Sequence, residues 1–303
     1  MTGANQDVEV ELLNGLPSVG AGILRGLVPT RRGGPDGTLP DRRVMVTGLK
    51  QDADRLAAYS RVCGFTVRDT VPATWLHVLT FPLQVHLMAS SDFPLALAGL
   101  VHVSNEMRLH RPVGVGEELT LTSSSADLRA HRSGTQVDLL GEARVGDEVV
   151  WTGRSTYLAR GRKPSGAEAP DGGVQDRYEN AGEASETATK IGGEPSALWR
   201  LPGNLGREYA AVSGDVNPIH LSAVTAKLLG FPRTIAHGMW SHARALAALD
   251  GRLPEAYTAT VEFRKPILLP ATVGFSAAVE GGRHTFRVTN KDGSKIHLIG
   301  SVA

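Results

Sequence analysis

The two halves of the chain carry a divergent internal repeat. The stretch "AAYSRVCGF" (57–65) aligns with "REYAAVSGD" (207–215), and "NEMRLHRPVGVGEELTL" (105–121) aligns with "ATVEFRKPILLPATVGF" (259–275). The alternative is chance similarity between two unrelated domains, but the aligned stretches occur in the same order at nearly constant offset. A length of 303 residues also suits two domains of about 100 to 150 residues each. The repeat therefore favours a fold that is built twice.

Each half combines one apolar helical stretch with several strand-like segments. The predicted helices are "LQVHLMASSDFPLALAGL" (83–100) and "MWSHARALAALDGRL" (239–253). The second is apolar or small on nearly every side, which is typical of a buried helix. The strand-like segments follow the second shared motif of each half and contain β-branched residues and turn glycines. The sequence therefore predicts an α+β fold in which an antiparallel sheet wraps around a central helix, twice.

The repeat and the local composition divide the chain into four predicted segments. These are an N-terminal arm (1–40), a first repeat (41–160), a flexible linker (161–196) and a second repeat (197–303). The linker is polar, rich in Gly, Ser, Glu and Ala, and cannot bury enough apolar surface to order itself. Within the arm, glycines and two prolines make residues 11–29 a poor amphipathic helix. We expect the arm to pack on the body and not to lie on a membrane.

Charge and composition exclude several classes of protein. A formal net charge of +1 with scattered arginines provides no basic surface for nucleic acid. The single cysteine, Cys63, excludes an intrachain disulfide framework and is typical of a reducing compartment. The sequence contains no run of about 18 apolar residues that could span a membrane. Its first residues include acids where a signal peptide needs positive charge. The sequence predicts a cytoplasmic protein with no nucleic-acid partner and no membrane span.

The stretch "YAAVSGDVNPIHLSAVTAKLLGF" places an acid and a histidine on either side of an Asn-Pro pair. Proline disfavours a helical conformation at the residue before it and is welcome at the first helical position. We therefore expect Asn217 to cap a helix that begins at Pro218 and ends at Gly230. His220 would lie in the first turn of this helix, and Asp215 on the loop before it.

The break at Asn-Pro allows the acid and the histidine to meet. In one continuous helix, side chains five residues apart differ by about 140° in direction and cannot face one atom. With the break, Asp215 can fold back so that its carboxylate and the His220 imidazole face one water or substrate atom. A helix N-terminus disfavours positive charge, so we expect a neutral His220 that can accept a proton, as general acid–base catalysis requires. The alternative is that Asp215 only caps the helix and His220 lies on the surface.

A second motif, "RTIAHGMW" (233–240), precedes the second predicted central helix. The first amides of a helix lack partners, so the Gly238 N–H can bind an oxyanion, and glycine permits close approach. We expect His237 to be packed or to orient the substrate, and His242 to make a polar contact in the core.

The internal repeat provides a control for these candidates. In the alignment Asp215, His220 and Gly238 stand opposite Phe65, Thr70 and Pro82. None of the three can replace its counterpart, and proline has no N–H to donate. Between the position aligned with His220 and the position aligned with His237, the first half also has fewer residues than the second half. This predicts open space for a bulky, apolar part of a substrate.

The stretch "YAAVSGDVNPIHLSAVTAKLLGFPRTIAHGM" (209–239) closely resembles the signature of the MaoC-like, R-specific enoyl-CoA hydratase family (hydratase 2), whose members have the hot-dog fold. The rest of the chain resembles the double hot-dog 3-hydroxyacyl-thioester dehydratases. This resemblance implies an α+β fold of two tandem hot-dog repeats. The C-terminal repeat would keep the active site, and the degenerate N-terminal repeat would provide the acyl-chain pocket.

The resemblance also implies a reaction and a role for each candidate residue. The reaction is reversible syn addition of water to a trans-2-enoyl thioester, giving the (3R)-hydroxyacyl product, in fatty-acid metabolism. Asp215 and His220 would hold the water, with either group handling either proton, and the Gly238 amide would bind the thioester carbonyl. Residues expected to support the loop or the substrate are Ser213, Asn217, His237 and Tyr209.

No metal or cofactor is expected, since the histidines lack metal-ligand spacing and the chain has no glycine-rich phosphate loop. The substrate itself would carry CoA or the pantetheine of an acyl-carrier protein, and Arg233, Arg264 and Lys265 are candidate contacts for a carrier protein. Two alternative functions are thioester hydrolysis and acyl binding without catalysis. A double repeat can mimic a hot-dog dimer, so a monomer or a homodimer is expected.

Overall fold

The computed structural model describes residues 9–27, 38–161, 191 and 194–303. In these ranges the chain forms eleven strands and seven helices. The strands are β1 (Glu9–Leu12), β2 (Arg42–Leu49), β3 (Leu100–Leu109), β4 (Leu119–His131), β5 (Gly134–Val145), β6 (Glu148–Arg160), β7 (Ala197–Leu201), β8 (Tyr257–Phe263), β9 (Ala271–Glu280), β10 (Arg283–Asn290) and β11 (Ile296–Val302). The helices are α1 (Val19–Leu27), α2 (Ala53–Cys63), α3 (Ala73–Ala89), α4 (Leu205–Ser213), α5 (Pro218–Leu221), α6 (Ala223–Leu228) and α7 (Gly238–Ala248).

The described strands form one sheet in the order β1-β2-β4-β5-β6-β3-β8-β11-β10-β9-β7. The β1–β2 pair is parallel, and the other neighbouring pairs are antiparallel. The two repeats join where β3 pairs with β8. In this pair Glu106 lies opposite Thr260. The alignment of 105–121 with 259–275 matches the same two residues. The repeats are therefore related by an approximate twofold axis through this pair.

Each repeat wraps its part of the sheet around one long helix. Helix α3 packs against strands β2 to β6, and fourteen of its 17 residues are buried. Helix α7 packs against β10 and meets α3 between the two repeats. The predicted α+β fold, in which strands wrap around a central helix in each repeat, is confirmed, although the strands of both repeats belong to one continuous sheet. The second central helix ends at Ala248, five residues before the predicted end.

The first central helix differs from its prediction. The sequence predicts a helix over 83–100, but α3 begins at Ala73 and ends at Ala89. Pro82 lies inside α3 without ending it, although a proline removes one internal hydrogen bond. Burial of almost the whole helix outweighs that cost. The chain then leaves the helix at Ser90, whose hydroxyl and N–H both donate to the Leu87 carbonyl.

The starts of α3 and α7 correct the predicted match between the repeats. Both helices begin with the same pattern of a small residue, a tryptophan and a histidine. The matching residues are Ala73, Trp75 and His77 in α3 and Gly238, Trp240 and His242 in α7. The predicted match between Pro82 and Gly238 is therefore wrong, because Pro82 lies in the third turn of α3.

The predicted match between Thr70 and His220 is also wrong. Thr70 forms an isolated β-bridge with Gly114 just before α3, and Ile235 forms the equivalent bridge with Leu268 before α7. Thr70 therefore corresponds to Ile235. His220 has no counterpart, because the described chain between α2 and α3 forms no helix where the second repeat has α5 and α6.

The N-terminal arm contains a helix that the sequence did not predict. Helix α1 packs against α3, and β1 pairs with β2. The predicted linker (161–196) lies almost entirely outside the described residues, and the four segment boundaries stay predictions. Within the described chain, no helix is long and apolar enough to cross a membrane.

Candidate active site

One cavity of about 440 Å³ extends from the second repeat into the first. Its lining includes Asp215, His220 and Gly238 from the second repeat, and Phe81 and Met88 from α3. Its volume lies in the range of about 300–1,000 Å³ that is usual for ligand sites. The structure therefore places the three predicted groups in one cavity that also has apolar walls from the first repeat.

The loop that carries Asp215 is held by local hydrogen bonds. Helix α4 is followed by Gly214, whose φ of 81° is left-handed and favours glycine. The Asp215 N–H donates to Ser213 Oγ at 3.1 Å, and the Asn217 N–H donates to Asp215 Oδ1 at 3.2 Å. The turn thus fixes the carboxylate through Oδ1 and leaves Oδ2 for other contacts.

Asn217 caps the next helix, where the sequence predicts a cap. Its Oδ1 accepts from the Ile219 N–H at 3.4 Å, and Pro218 is the first residue of α5. The predicted single helix to Gly230 is wrong. Helix α5 ends after one turn, because Ser222 is extended and its hydroxyl caps α6.

His220 lies on α5 and is buried, with 8% of its surface exposed. The alternative of a surface histidine is therefore wrong. Its Nδ1 is 2.8 Å from the carbonyl oxygen of Ile235, which can only accept, so Nδ1 carries the proton. In the neutral ring Nε2 is then the hydrogen-bond acceptor.

His237 lies between two other rings of the site. Its centroid is 3.6 Å from that of His220 and 4.8 Å from that of Tyr209. Its Nε2 donates to the main-chain oxygen of Asp215 at 3.0 Å and lies 3.8 Å from Asp215 Oδ2. Because His237 is the residue just before α7, it ties the Asp215 loop to the start of the second central helix.

Burial changes the acid–base properties of these side chains. Loss of water raises the pKa of Asp215 above its ordinary value, although the nearby His220 opposes the shift. Desolvation also lowers the pKa of His220, with Asp215 acting in the opposite direction. The pKa of His237 is lowered well below its ordinary value, chiefly by burial. Both imidazoles are therefore neutral near pH 7, and His220 Nε2 can accept a proton.

Gly238 is the first residue of α7, and its N–H makes no hydrogen bond within the described part of the chain. Such an amide at a helix N-terminus favours an anionic oxygen. A Cβ at this position would lie 3.0 Å from the ring of Phe263. Glycine therefore allows the aromatic ring to pack directly on the start of the helix.

Asp215, His220 and His237 each offer a ligand atom within 4.8 Å of the others, which is the spacing of a metal site. The geometry does not fit one. A ring nitrogen binds a metal in the plane of its ring at about 2 Å, and two rings stacked 3.6 Å apart with planes only 25° apart cannot both hold one ion in their planes at that distance. In addition, His237 Nε2 already donates to the Asp215 carbonyl.

Comparisons with known proteins identify the family. The MaoC like domain matches residues 204–299, and the FAS1-like dehydratase domain region matches residues 57–152. Over 266 residues the chain is 36% identical to 3-hydroxyacyl-thioester dehydratase X of Mycobacterium tuberculosis, which covers 87% of this chain and 90% of that protein. The chain belongs to the MaoC-like dehydratase family.

Solved structures agree with the fold of this MaoC-like dehydratase. A crystal structure of HtdX from Mycobacterium tuberculosis is 34% identical and covers 86% of this chain and 99% of that chain, with a TM-score of 0.73. The crystal structure of a MaoC-like dehydratase from Phytophthora capsici is 18% identical in sequence and has a TM-score of 0.69. The match covers 89% of this chain and 97% of that chain. This second likeness concerns the fold alone. The predicted resemblance to MaoC-like, double hot-dog dehydratases is confirmed.

Gly206 positions His220 in this MaoC-like dehydratase, and the sequence pattern gives no indication of it. A Cβ at Gly206 would overlap with the carbonyl oxygen of His220. Helix α4 can therefore lie this close to α5 only because position 206 has no side chain.

Arg55 supports the same loop from the first repeat. Its Nε donates to the Val212 carbonyl at 2.8 Å, and its Nη2 donates to the Ser213 carbonyl at 3.1 Å. These oxygens end α4, where a cation is favourable. The guanidinium also lies over the Trp75 ring, 5.2 Å from its centroid. No local pattern could link positions 157 residues apart.

Further cavity residues come from several strands. His102 stacks on Tyr157 with centroids 4.6 Å apart and lies 5.0 Å from Phe263, and all three rings line the cavity. The sequence patterns do not indicate these three, because they meet only through sheet packing. The resemblance predicts four supporting residues, and all four line the cavity: Ser213, Asn217, His237 and Tyr209.

The predicted basic contacts are divided between two places. Arg264 and Lys265 line the cavity, together with the exposed Arg160, whereas Arg233 does not line it. Arg264 also forms an ion pair with Glu262 at 2.6 Å. The positive charges of the cavity mouth thus come from β6 and from the segment after β8.

Replacing Gly206 with alanine should displace His220 and lower enoyl-CoA hydration by about 10²-fold, since misplacement of a catalytic group by about 1 Å has effects of this size. Gly203→Ala is the matched control, because a Cβ there meets only Pro270 at 3.9 Å. Steady-state rates of the two purified variants check the prediction. Equal rates would show that the position of His220 does not depend on Gly206.

Asp215→Asn should stabilise the fold more at pH 8 than near pH 4. The folded state raises the pKa of Asp215, so the stability that this group contributes is present below its unfolded pKa of about 3.9 and is lost as pH rises through the folded pKa. Asparagine keeps the turn and removes the charge. Urea unfolding at both pH values measures the difference in free energy of unfolding, and a pH-independent difference would contradict the prediction.

Proposed function

We propose that the protein catalyses the reversible dehydration of (3R)-hydroxyacyl thioesters to trans-2-enoyl thioesters, as a hydro-lyase. The observation that supports this most is that Asp215, His220 and Gly238 line one cavity, which continues into apolar space. Membership of the MaoC-like dehydratase family agrees with this reaction. The R configuration and the place in fatty-acid metabolism follow the resemblance to the hydratase 2 branch.

In the hydration direction, one water binds between the Asp215 carboxyl and His220 Nε2. As the water oxygen bonds to C3, the group that enters the step unprotonated takes a proton from the water, and the group that enters protonated delivers its proton to C2. Transfer of the captured proton to the second group then restores both groups for the next turnover. The electrons of the double bond form the new C2–H bond, so the product gains one hydroxyl and one hydrogen. Ligand atoms of the two residues lie within 4.8 Å of each other, which suits addition to one face of the double bond, the syn course that the resemblance to hydratase 2 implies.

Charge develops on the thioester oxygen during this step. The Gly238 N–H, at the positive end of α7, is placed to donate to that oxygen as it becomes an enolate. A preorganised donor of this kind lowers the barrier by about 3 kcal/mol. The amide therefore binds the transition state more strongly than the substrate.

The exposed side chains of Arg160, Arg264 and Lys265 suit the phosphates of the thioester carrier. CoA and the pantetheine of an acyl-carrier protein share this chemistry. Activity with acyl-CoA should therefore weaken as ionic strength rises. The cytoplasmic location and the choice between a monomer and a homodimer stay predictions.

Asp215→Asn and His220→Gln should each lower the rate of crotonyl-CoA hydration by about 10²–10⁴-fold, the usual contribution of a general acid or base. Asp250→Asn is the control, because this carboxylate pairs with Arg68 at 3.4 Å and does not line the cavity. Loss of the enoyl absorbance gives the rate, and chromatography identifies the product.

The same assay separates the alternatives. Release of free CoA without 3-hydroxybutyryl-CoA would identify a thioesterase, and binding without either product would identify an acyl-binding protein. Wild-type rates in both cavity variants would show that the water is not held by this pair.

A further inference from the structure

We propose that helix α1 of the N-terminal arm is the wall that limits the length of the acyl chain, and that Ile23 is its specificity-determining residue. The inference rests on the proposed function for the identity of the ligand. It goes beyond that function by assigning a role to a segment outside both hot-dog repeats.

Helix α1 reaches the cavity through the side chain of Ile23. Ile23 lines the cavity together with Val85 and Met88 of α3 and with Leu97, which follows α3. These four side chains are apolar, in contrast to Asp215 and His220, which line the same cavity. An acyl chain whose thioester lies at the polar groups would therefore meet Ile23 as part of an apolar wall.

Two glycines allow α1 to lie unusually close to this wall. A Cβ at Gly22 would be 2.6 Å from Val85 Cγ1, and a Cβ at Gly26 would be 2.8 Å from Leu97 Cδ2. Real Cβ atoms do not come so close, so larger residues would move the helix outward. The spacing of four residues places both glycines on one face of α1. The glycines that weakened the helix prediction thus serve its packing.

The opposite face of α1 is exposed to solvent. Leu24, next to Ile23 in sequence, has 67% of its surface exposed, and Ala21 and Arg25 are also exposed. The helix is therefore one layer thick between the cavity and water. At its start, Gly20 lies against Val216 of the Asp215 loop, where a Cβ would be 3.6 Å from Val216 Cγ2. The wall thus runs from the catalytic loop to Leu97.

Ionic contacts fix the arm that carries this wall. Glu11 on β1 accepts from Arg42 Nε at 3.0 Å and from His86 Nε2 at 2.7 Å. Arg42 also pairs with Asp92, and this hydrogen bond lowers the pKa of the Asp92 carboxyl. Because His86 lies on α3 beside Val85, the arm is anchored to the same helix that forms the facing wall. A fixed wall sets a length limit, whereas a loose segment would yield to a longer chain.

Hydration rates with trans-2-enoyl-CoA substrates of increasing length test the proposal on the full chain. Ile23→Trp should lower kcat/KM for the longest chains that the parent uses at least about tenfold more than it lowers kcat/KM for the four-carbon substrate. Ile23→Ala should raise the rates for chains longer than that limit. Leu24→Trp, which adds the same ring on the exposed face, should keep the parent profile.

An unchanged length profile in both Ile23 variants would overturn the proposal, as would an equal loss at every length. Calorimetric binding of saturated acyl-CoAs to the same variants provides a readout that does not need catalysis. If the parent hydrates no enoyl-CoA, the proposed function is wrong, but the length dependence of binding still decides whether Ile23 forms the wall. A shift in Leu24→Trp equal to that in Ile23→Trp would also overturn it.

Discussion

The hydrogen bond from His237 Nε2 to the main-chain oxygen of Asp215 is the contact on which the candidate site depends. It joins the loop after α4 to the residue before α7, so that the carboxyl group, the imidazole and the Gly238 amide form one arrangement. His220 is held by a second backbone oxygen, that of Ile235. Since backbone carbonyls orient both rings, Asp215 Oδ2 and His220 Nε2 are left for water and substrate.

Enclosure sets the chemistry of the pair as well as its geometry. In water the pKa values of aspartate and histidine are about 3.9 and 6.5. Burial raises the pKa of Asp215 and lowers that of His220, so the gap between the two values becomes smaller. A proton can then pass between the two groups through a bound water at less cost in either direction. A smaller gap between the two pKa values suits a reaction that is proposed to run in both directions.

The sequence predicts what local geometry determines. The approach of Asp215 and His220 follows from the Asn217-Pro218 break, which acts within six residues. The start of α3 could not be predicted in the same way, because burial allows a helix to continue through Pro82. Gly206 and Arg55 were missed because their contacts with His220, Val212 and Ser213 exist only after α4 has packed against other elements. The repeat was detected correctly, but its register shifted where the second half contains α5 and α6.

The joining of β3 to β8 within one polypeptide has a consequence for how such a molecule can diverge. In an assembly of two identical copies, every substitution or deletion appears in both copies. A deletion that makes space for a substrate in one copy therefore also removes the acid and base from the other. When both repeats lie in one polypeptide, each can change independently of the other. One repeat can lack α5, α6 and their histidine while the other has them, and Arg55 of the first repeat still supports the loop of the second repeat that carries Asp215. A fused pair of repeats can therefore place substrate space in one repeat and reactive groups in the other, which a pair of identical copies cannot do.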